Sequence, residues 1–213
     1  MKQNLLLLIN CLVLTQATVF GSEARLTENH LSKFAPIAEG IKRATELRLY
    51  EGLPHQTFEK EALETELRSK KTVQIQKFPF YEQTLDILFE DIELLKQLCV
   101  DGANYKSNFG TTKHPDGSES VWKTSKFCGG FHPDYCLAWK DGDVTYDLLI
   151  CFGCQEMTFF GPKTALNADI REHAYQKFET ILKKYRGQRP QKTRTKAIKS
   201  LQSTSSRDAT QSE

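Results

Sequence analysis

Tyr135-Cys-Leu-Ala-Trp139-Lys-Asp-Gly142-Asp-Val144-Thr-Tyr-Asp-Leu148-Leu-Ile-Cys151 is the stretch whose reading decides the fold. Apolar and polar residues alternate on both sides of Asp141-Gly142, and Asp-Gly between two alternating runs signals a β-hairpin. A two-residue loop at Asp141-Gly142 pairs Lys140 with Asp143. Trp139 then faces Val144, Leu137 faces Tyr146 and Tyr135 faces Leu148, all on one pleated face. Cys136 faces Asp147 on the other. A slip of one residue would turn that whole apolar set to the opposite side, so the pattern specifies the faces strongly.

Each end of the hairpin carries cysteine. Cys128-Gly-Gly-Phe-His132-Pro-Asp134-Tyr-Cys136 leads in, and Cys151-Phe-Gly-Cys154 leads out. Extending the ladder puts His132 across from Cys151 and Cys128 near Cys154, although Pro133 and the two glycines must loosen the pairing there. Three chemistries fit Cys128, His132, Cys151 and Cys154. A disulfide from Cys128 to Cys154 or Cys151 would staple the base of the hairpin. A zinc site would use all four as tetrahedral ligands, without the usual second pair of closely spaced ligands. A redox pair at Cys151/Cys154 would lack the helix N-terminus that usually stabilises such a thiolate. Cys99 and Cys136 have no sequence-local partner, and Cys99 suits a buried apolar site.

The compartment bears on that choice. Lys2, the apolar run 5–20 and Val19-Phe-Gly21 read as a signal peptide over 1–21, cleaved before Ser22 or after Ala24. Cys11 does not suit a lipoprotein reading, because Asn10 precedes it and the apolar run continues beyond it. An exported, periplasmic or extracellular location follows, where disulfides persist. No membrane span is expected in the mature chain. About 190 residues remain, enough for one core. Lys and Arg number 29 against 27 Asp and Glu, a formal net charge of +2, which does not suit a dedicated nucleic-acid binder. From 187 to 213 the chain is rich in Gln, Ser, Thr, Lys and Arg, so the composition predicts a disordered basic tail. Arg186, Arg189, Lys192, Arg194, Lys196 and Lys199 would let it touch anionic surfaces weakly.

The body over 22–186 reads as one α+β domain, with a mixed or antiparallel sheet, the central Asp-Gly hairpin and flanking helices. Pro36 and Gly40 should break a helix over 31–43. Residues 44–50 alternate as a strand. Thr57 is the expected N-cap of a helix that buries Phe58, Ala62, Leu63 and Leu67. A strand is expected at 72–78, with a further one from 81, and a helix at 89–99. Residues 101–126 read as a long polar connection pinned by Trp122. Another strand follows at 156–160, and a last helix from 168 to 185 carries Ile170, Ala174, Phe178, Ile181 and Leu182.

Elsewhere chemistry is sparse. His55, with Glu51 nearby, is a secondary candidate for acid–base work or local hydrogen bonding. Asp134 would orient His132 or form a turn. No phosphate loop, nucleophile elbow or His-Glu-x-x-His helix occurs. No cofactor other than zinc is indicated. Three segments, Leu49-Tyr-Glu-Gly-Leu-Pro-His55, Phe78-Pro-Phe-Tyr81, and Cys128-Gly-Gly-Phe-His-Pro-Asp-Tyr135 with Ile150-Cys-Phe-Gly-Cys154, resemble as a set a group of small exported bacterial proteins. The resemblance runs from about Leu47 to Tyr185. It implies a single exported domain with the Cys/His block as its hallmark, and no activity. A binding or envelope-associated module is therefore the leading expectation, with a zinc protein, structural or hydrolytic, and a thiol redox protein as alternatives.

Overall fold

The computed structural model describes residues 25–123, 126 and 128–190. The expected leader at 1–21 and the basic segment from 191 onward lie outside them. Four consecutive strands form an antiparallel meander: β7 (Tyr135–Asp141), β8 (Val144–Cys151), β9 (Glu156–Gly161) and β10 (Thr164–Ile170). Two distant strands complete the sheet. β1 (Glu46–Glu51) adds to β7, and the two-residue β4 (Tyr105–Lys106) adds to β10, giving the order β1-β7-β8-β9-β10-β4. The architecture is α+β, as the patterning indicates.

The hairpin register differs from the expected one by two residues. Asp141 pairs with Val144, Trp139 with Tyr146, Leu137 with Leu148 and Tyr135 with Ile150. The loop is Gly142-Asp143, not Asp141-Gly142. Gly142 has φ +59 and Asp143 is not left-handed, which is the demand of a type II′ turn with glycine first. A shift of two preserves the parity of the strand, so every side chain keeps its face. Tyr135, Leu137, Trp139, Tyr146 and Leu148 all enter the main core, with Val144 packed against it.

Helices cover that face. α1 (Glu28–Arg43) is unbroken, and the Thr27 side chain caps it by accepting from the His30 N–H. Pro36 interrupts no buried bond because it and Ser32 are exposed, while Phe34, Ile37, Ala38 and Ile41 are buried. α3 (Phe89–Val100) buries Leu95, Leu98 and Cys99. α4 (Glu172–Leu182) begins later than expected: Ala168 and Ile170 belong to β10, where Leu166, Ala168 and Ile170 alternate into the core.

The opposite face is covered by a hairpin of β2 (Thr72–Ile75) and β3 (Phe78–Tyr81), so the expected single strand at 72–78 is two. Phe80, with Val73, Ile75 and Phe78 beside it, packs on Cys136, Ala138 and Leu149. Tyr81 ends β3, and residues 82–88 add only a bridge from Leu85 to Leu49. α2 (Lys60–Ser69) departs from expectation as well. Its N-cap is Glu59, Phe58 is 63% exposed, Leu67 is exposed, and Glu66 is its buried residue. The supposed connection at 101–126 contains β4 and a hairpin of β5 (Phe109–Lys113) and β6 (Glu119–Lys123). The Trp122 side chain lies outside what is described.

The expected tail start is corrected too. Gly187–Pro190 dock on the body, where the backbone N–H groups of Gly187 and Gln188 donate to Glu51 Oε2 at 3.2 and 2.7 Å. Arg189 is buried. Two carboxylates and one anchored backbone turn offset the loss of chain entropy that the composition alone cannot offset.

Candidate functional site

The Cys128 and Cys154 sulfurs lie at disulfide-bonding distance, with Cα atoms 5.5 Å apart. Such a Cα separation sits within the usual range for a disulfide. The cross-link joins the 128–134 loop to the 152–155 turn between β8 and β9. Gly129 (φ +73) and Gly130 (φ +108) supply the left-handed backbone that brings the loop down onto the turn. Cys151, which closes that turn against Glu156, remains a free buried thiol. Its sulfur lies within 4.8 Å of both cross-linked sulfurs. The Cys154 backbone N–H points at it from 3.3 Å. Burial pushes the Cys151 thiol up to about 11, against the pull of the His132 backbone N–H.

His132 does not join the sulfurs. Its ring bonds to the Pro54 carbonyl and stacks on His55, with centroids 4.6 Å apart. Burial, then Arg189 and His55, lowers its pKa to about 4, so the ring is neutral at pH 7. The four-ligand arrangement read from the ladder is therefore corrected to three cysteines. The ladder ends at the Asp134 N–H bond to the Ile150 carbonyl, so the His132 side chain never enters the sheet face beside Cys151.

His55 and Asp134 also take other roles than those expected. His55 Nδ1 accepts from the Thr57 N–H at 3.0 Å, and its ring meets Phe58 at 4.8 Å. Glu51, the proposed partner of His55, is committed to the 187–188 backbone. Asp134 Oδ2 accepts from the Phe152 N–H at 2.8 Å, and Oδ1 holds Arg189 Nη1 at 2.7 Å. Arg189 Nη2 reaches Glu59 Oε2 at 3.0 Å, and that same oxygen accepts from the His55 N–H. One guanidinium thus ties the stapled loop, the approach to α2 and the C-terminal segment.

These groups line a cleft of about 370 Å³, with Phe58, His132, Phe152 and Arg186 among its walls. A larger groove of about 680 Å³ runs between α3 and α4. Its His173 is bonded to Asn104 and its Asp101 to the Ala103 N–H, so it offers less unspent chemistry. Cys99 and Cys136 are free and fully buried, each pushed up by burial. Cys136 lies opposite Leu149, not Asp147.

Sequence reasoning missed Arg189, Glu59 and Glu156. Glu156 follows the Cys151–Cys154 turn directly, and a closed hairpin there would have set it opposite Cys151. Comparison with family models, with curated proteins and with solved structures finds no match for the chain.

Proposed function

We propose that the chain acts outside the cytoplasm as a binding or envelope-associated module whose cysteine cross-link holds one wall of a preformed cleft. The observation that carries this reading is the Cys128–Cys154 pair. It fixes the 128–134 loop against the β8–β9 turn and leaves the cleft between that loop, His55 and Arg189. The leader at 5–20 and a disulfide-permissive environment agree. No helix of the described residues is long and apolar enough to cross a membrane. The chemistry of the walls favours binding over catalysis. Asp134 and Glu59 are both ion-paired with the single guanidinium of Arg189. Cys151 is a poor nucleophile at neutral pH with its pKa up at about 11, and neither cleft histidine ring bonds to a thiol or hydroxyl among the described residues. What remains is a stack of aromatic faces (Phe58, His55, His132) beside the free head of Arg186. That surface suits a flat ligand with an anionic edge.

Chemical-shift mapping of the oxidised mature chain against aromatic carboxylates tests this reading. Shifts should gather at His55, Phe58, His132 and Phe152. Shifts confined to the α3–α4 groove, or none in the cleft, would refute it. N-terminal sequencing of protein from its host should begin near Ser22 or Arg25, and an intact Met1 would remove the export premise.

A second reading has its own observation. The sulfurs of Cys128, Cys151 and Cys154 all lie within 4.8 Å of one another and all three residues are buried. Once reduced, three thiolate donors in that space suit zinc. Metal analysis with thiol counting, on protein from oxidising and from reducing compartments, separates the two readings.

A further inference from the structure

We propose that the reduced protein holds one zinc-type divalent ion with four ligands, Cys128, Cys151, Cys154 and Glu156, and that His132 is not among them; this rests on the metal reading of the cysteine triad.

Strand register carries the argument. Cys151 pairs with Glu156 across β8 and β9, and Glu156 pairs with Asp169 across β9 and β10. Directly opposite residues share a face with Cβ atoms about 4.5–5.5 Å apart, so sulfur and two carboxylates form one row. Asp169 is spent on Lys126, whose Nζ lies 2.7 Å away. Glu156 keeps one oxygen unspent. It is 1% exposed, and its Oε1 has no hydrogen-bond partner among the described residues. A buried carboxylate is costly unless it is paired or coordinates a metal, so this one calls for a reason. The cysteine triad beside it supplies that reason.

The three sulfurs lie within 4.8 Å of one another, and the Glu156 carboxylate, which stands outside that group, closes a tetrahedral shell by turning toward it; four protein ligands then make the ion structural. Lys126, 3.1 Å from the Cys154 carbonyl, places an ammonium beside the excess negative charge. His132 is unsuited because its ring is already engaged with Pro54 and His55.

Occupation requires reduction first. A phosphine or dithiol reductant gives two electrons to the Cys128–Cys154 bond, is itself oxidised, and the two sulfurs take up two protons. Metal binding then displaces the thiol protons of all three cysteines to solvent. The disulfide and the metal are thus alternative states of the same sulfurs.

The test uses the full mature chain, reduced with a phosphine under anaerobic conditions and titrated with Co²⁺ alone. Wild type should take up one Co²⁺ per chain with thiolate charge-transfer bands and four-coordinate visible bands. Glu156→Gln should weaken binding at least tenfold and alter the visible bands. Glu156→Asp, which keeps a carboxylate, should stay within a fewfold of wild type, and His132→Ala within twofold. Wild-type affinity in Glu156→Gln, an equal loss in Glu156→Asp, or a tenfold loss in His132→Ala would overturn the assignment of Glu156 while leaving the triad as a metal site. No Co²⁺ uptake by reduced wild type would overturn the metal reading itself. The melting temperature of each oxidised variant checks that its fold survives the substitution. If Glu156→Gln does not fold, the Glu156→Asp and His132→Ala results decide.

Discussion

Replacing Arg189 with Ala should destabilise the protein by about 2–3 kcal/mol. Truncating one partner of a buried ion pair typically costs about 3–5 kcal/mol, because the remaining charge is stranded. Here the Arg189 side chain is 6% exposed and faces two carboxylates, Asp134 at 22% and Glu59 at 13%. Neither is wholly abandoned when the guanidinium goes. Asp134 keeps the Phe152 N–H and Glu59 keeps the His55 N–H, which places the cost below the full range. Urea titration followed by tryptophan emission gives the number, with buried Trp139 as one reporter. Arg189→Lys should recover only part of the loss, since one ammonium cannot reproduce the fork that spans both carboxylates. A double-mutant cycle with Asp134→Asn should return a coupling of about 1–3 kcal/mol. A loss under about 0.5 kcal/mol with no coupling, the behaviour of an ordinary surface arginine, would refute the view that Gly187–Pro190 belong to the body.

Reduction in the presence of a chelator should cost about 3.5 kcal/mol, the loop-closure value for a separation of 26 residues, and calorimetry should show it as a drop of roughly 10 °C. An unchanged melting temperature would remove the staple. Leu148→Ala, at a fully buried site on the sheet's helix-covered face, should cost about 3–5 kcal/mol in the same urea assay. A cost below about 1 kcal/mol would contradict the register. Acidification should weaken the fold through His132, whose folded pKa of about 4 lies below its ordinary 6.5. The unfolded state binds the proton first, so this contribution is complete above about pH 6.5 and is lost as pH falls toward 4, amounting to about 2 kcal/mol by pH 5. His132→Ala should flatten that part of the stability–pH curve, and an identical slope in the variant would assign the effect elsewhere.

The sequence and the structure part company for identifiable physical reasons. The hairpin and its faces are legible because alternation has only two phases, and a two-residue error in the turn cannot change which face is buried. The turn itself was misplaced because Asp-Gly suits a type I′ loop, whereas Gly142 leads a type II′ loop. β10 was absorbed into the following helix because Ile170 and Ala174 also satisfy a spacing of four. The 109–123 hairpin has too few apolar residues to advertise itself. Arg189 was hidden because composition averages over a segment, while docking depends on where three acidic side chains happen to converge. At the site, local spacing brought Cys128, Cys151 and Cys154 together correctly. It misassigned His132, whose ring direction is decided by Pro54 and His55, far away in sequence.

The meander has a consequence for the order of assembly. Turns at 142–143, 152–155 and 162–163 link β7 to β10, so three of the five sheet pairings close short loops. By contrast, β1 must find β7 and β4 must find β10 across long intervening chain, at greater entropic cost. The cheapest portion of the sheet to form is therefore the one that brings Cys128 to Cys154. A chain emerging unfolded into an oxidising space can join its correct sulfurs before its N-terminal half has docked, with Cys99 and Cys136 still unburied as rivals. Quenched oxidative refolding should accordingly trap the 128–154 pair ahead of native Trp139 emission, and its appearance only after full docking would reverse the order.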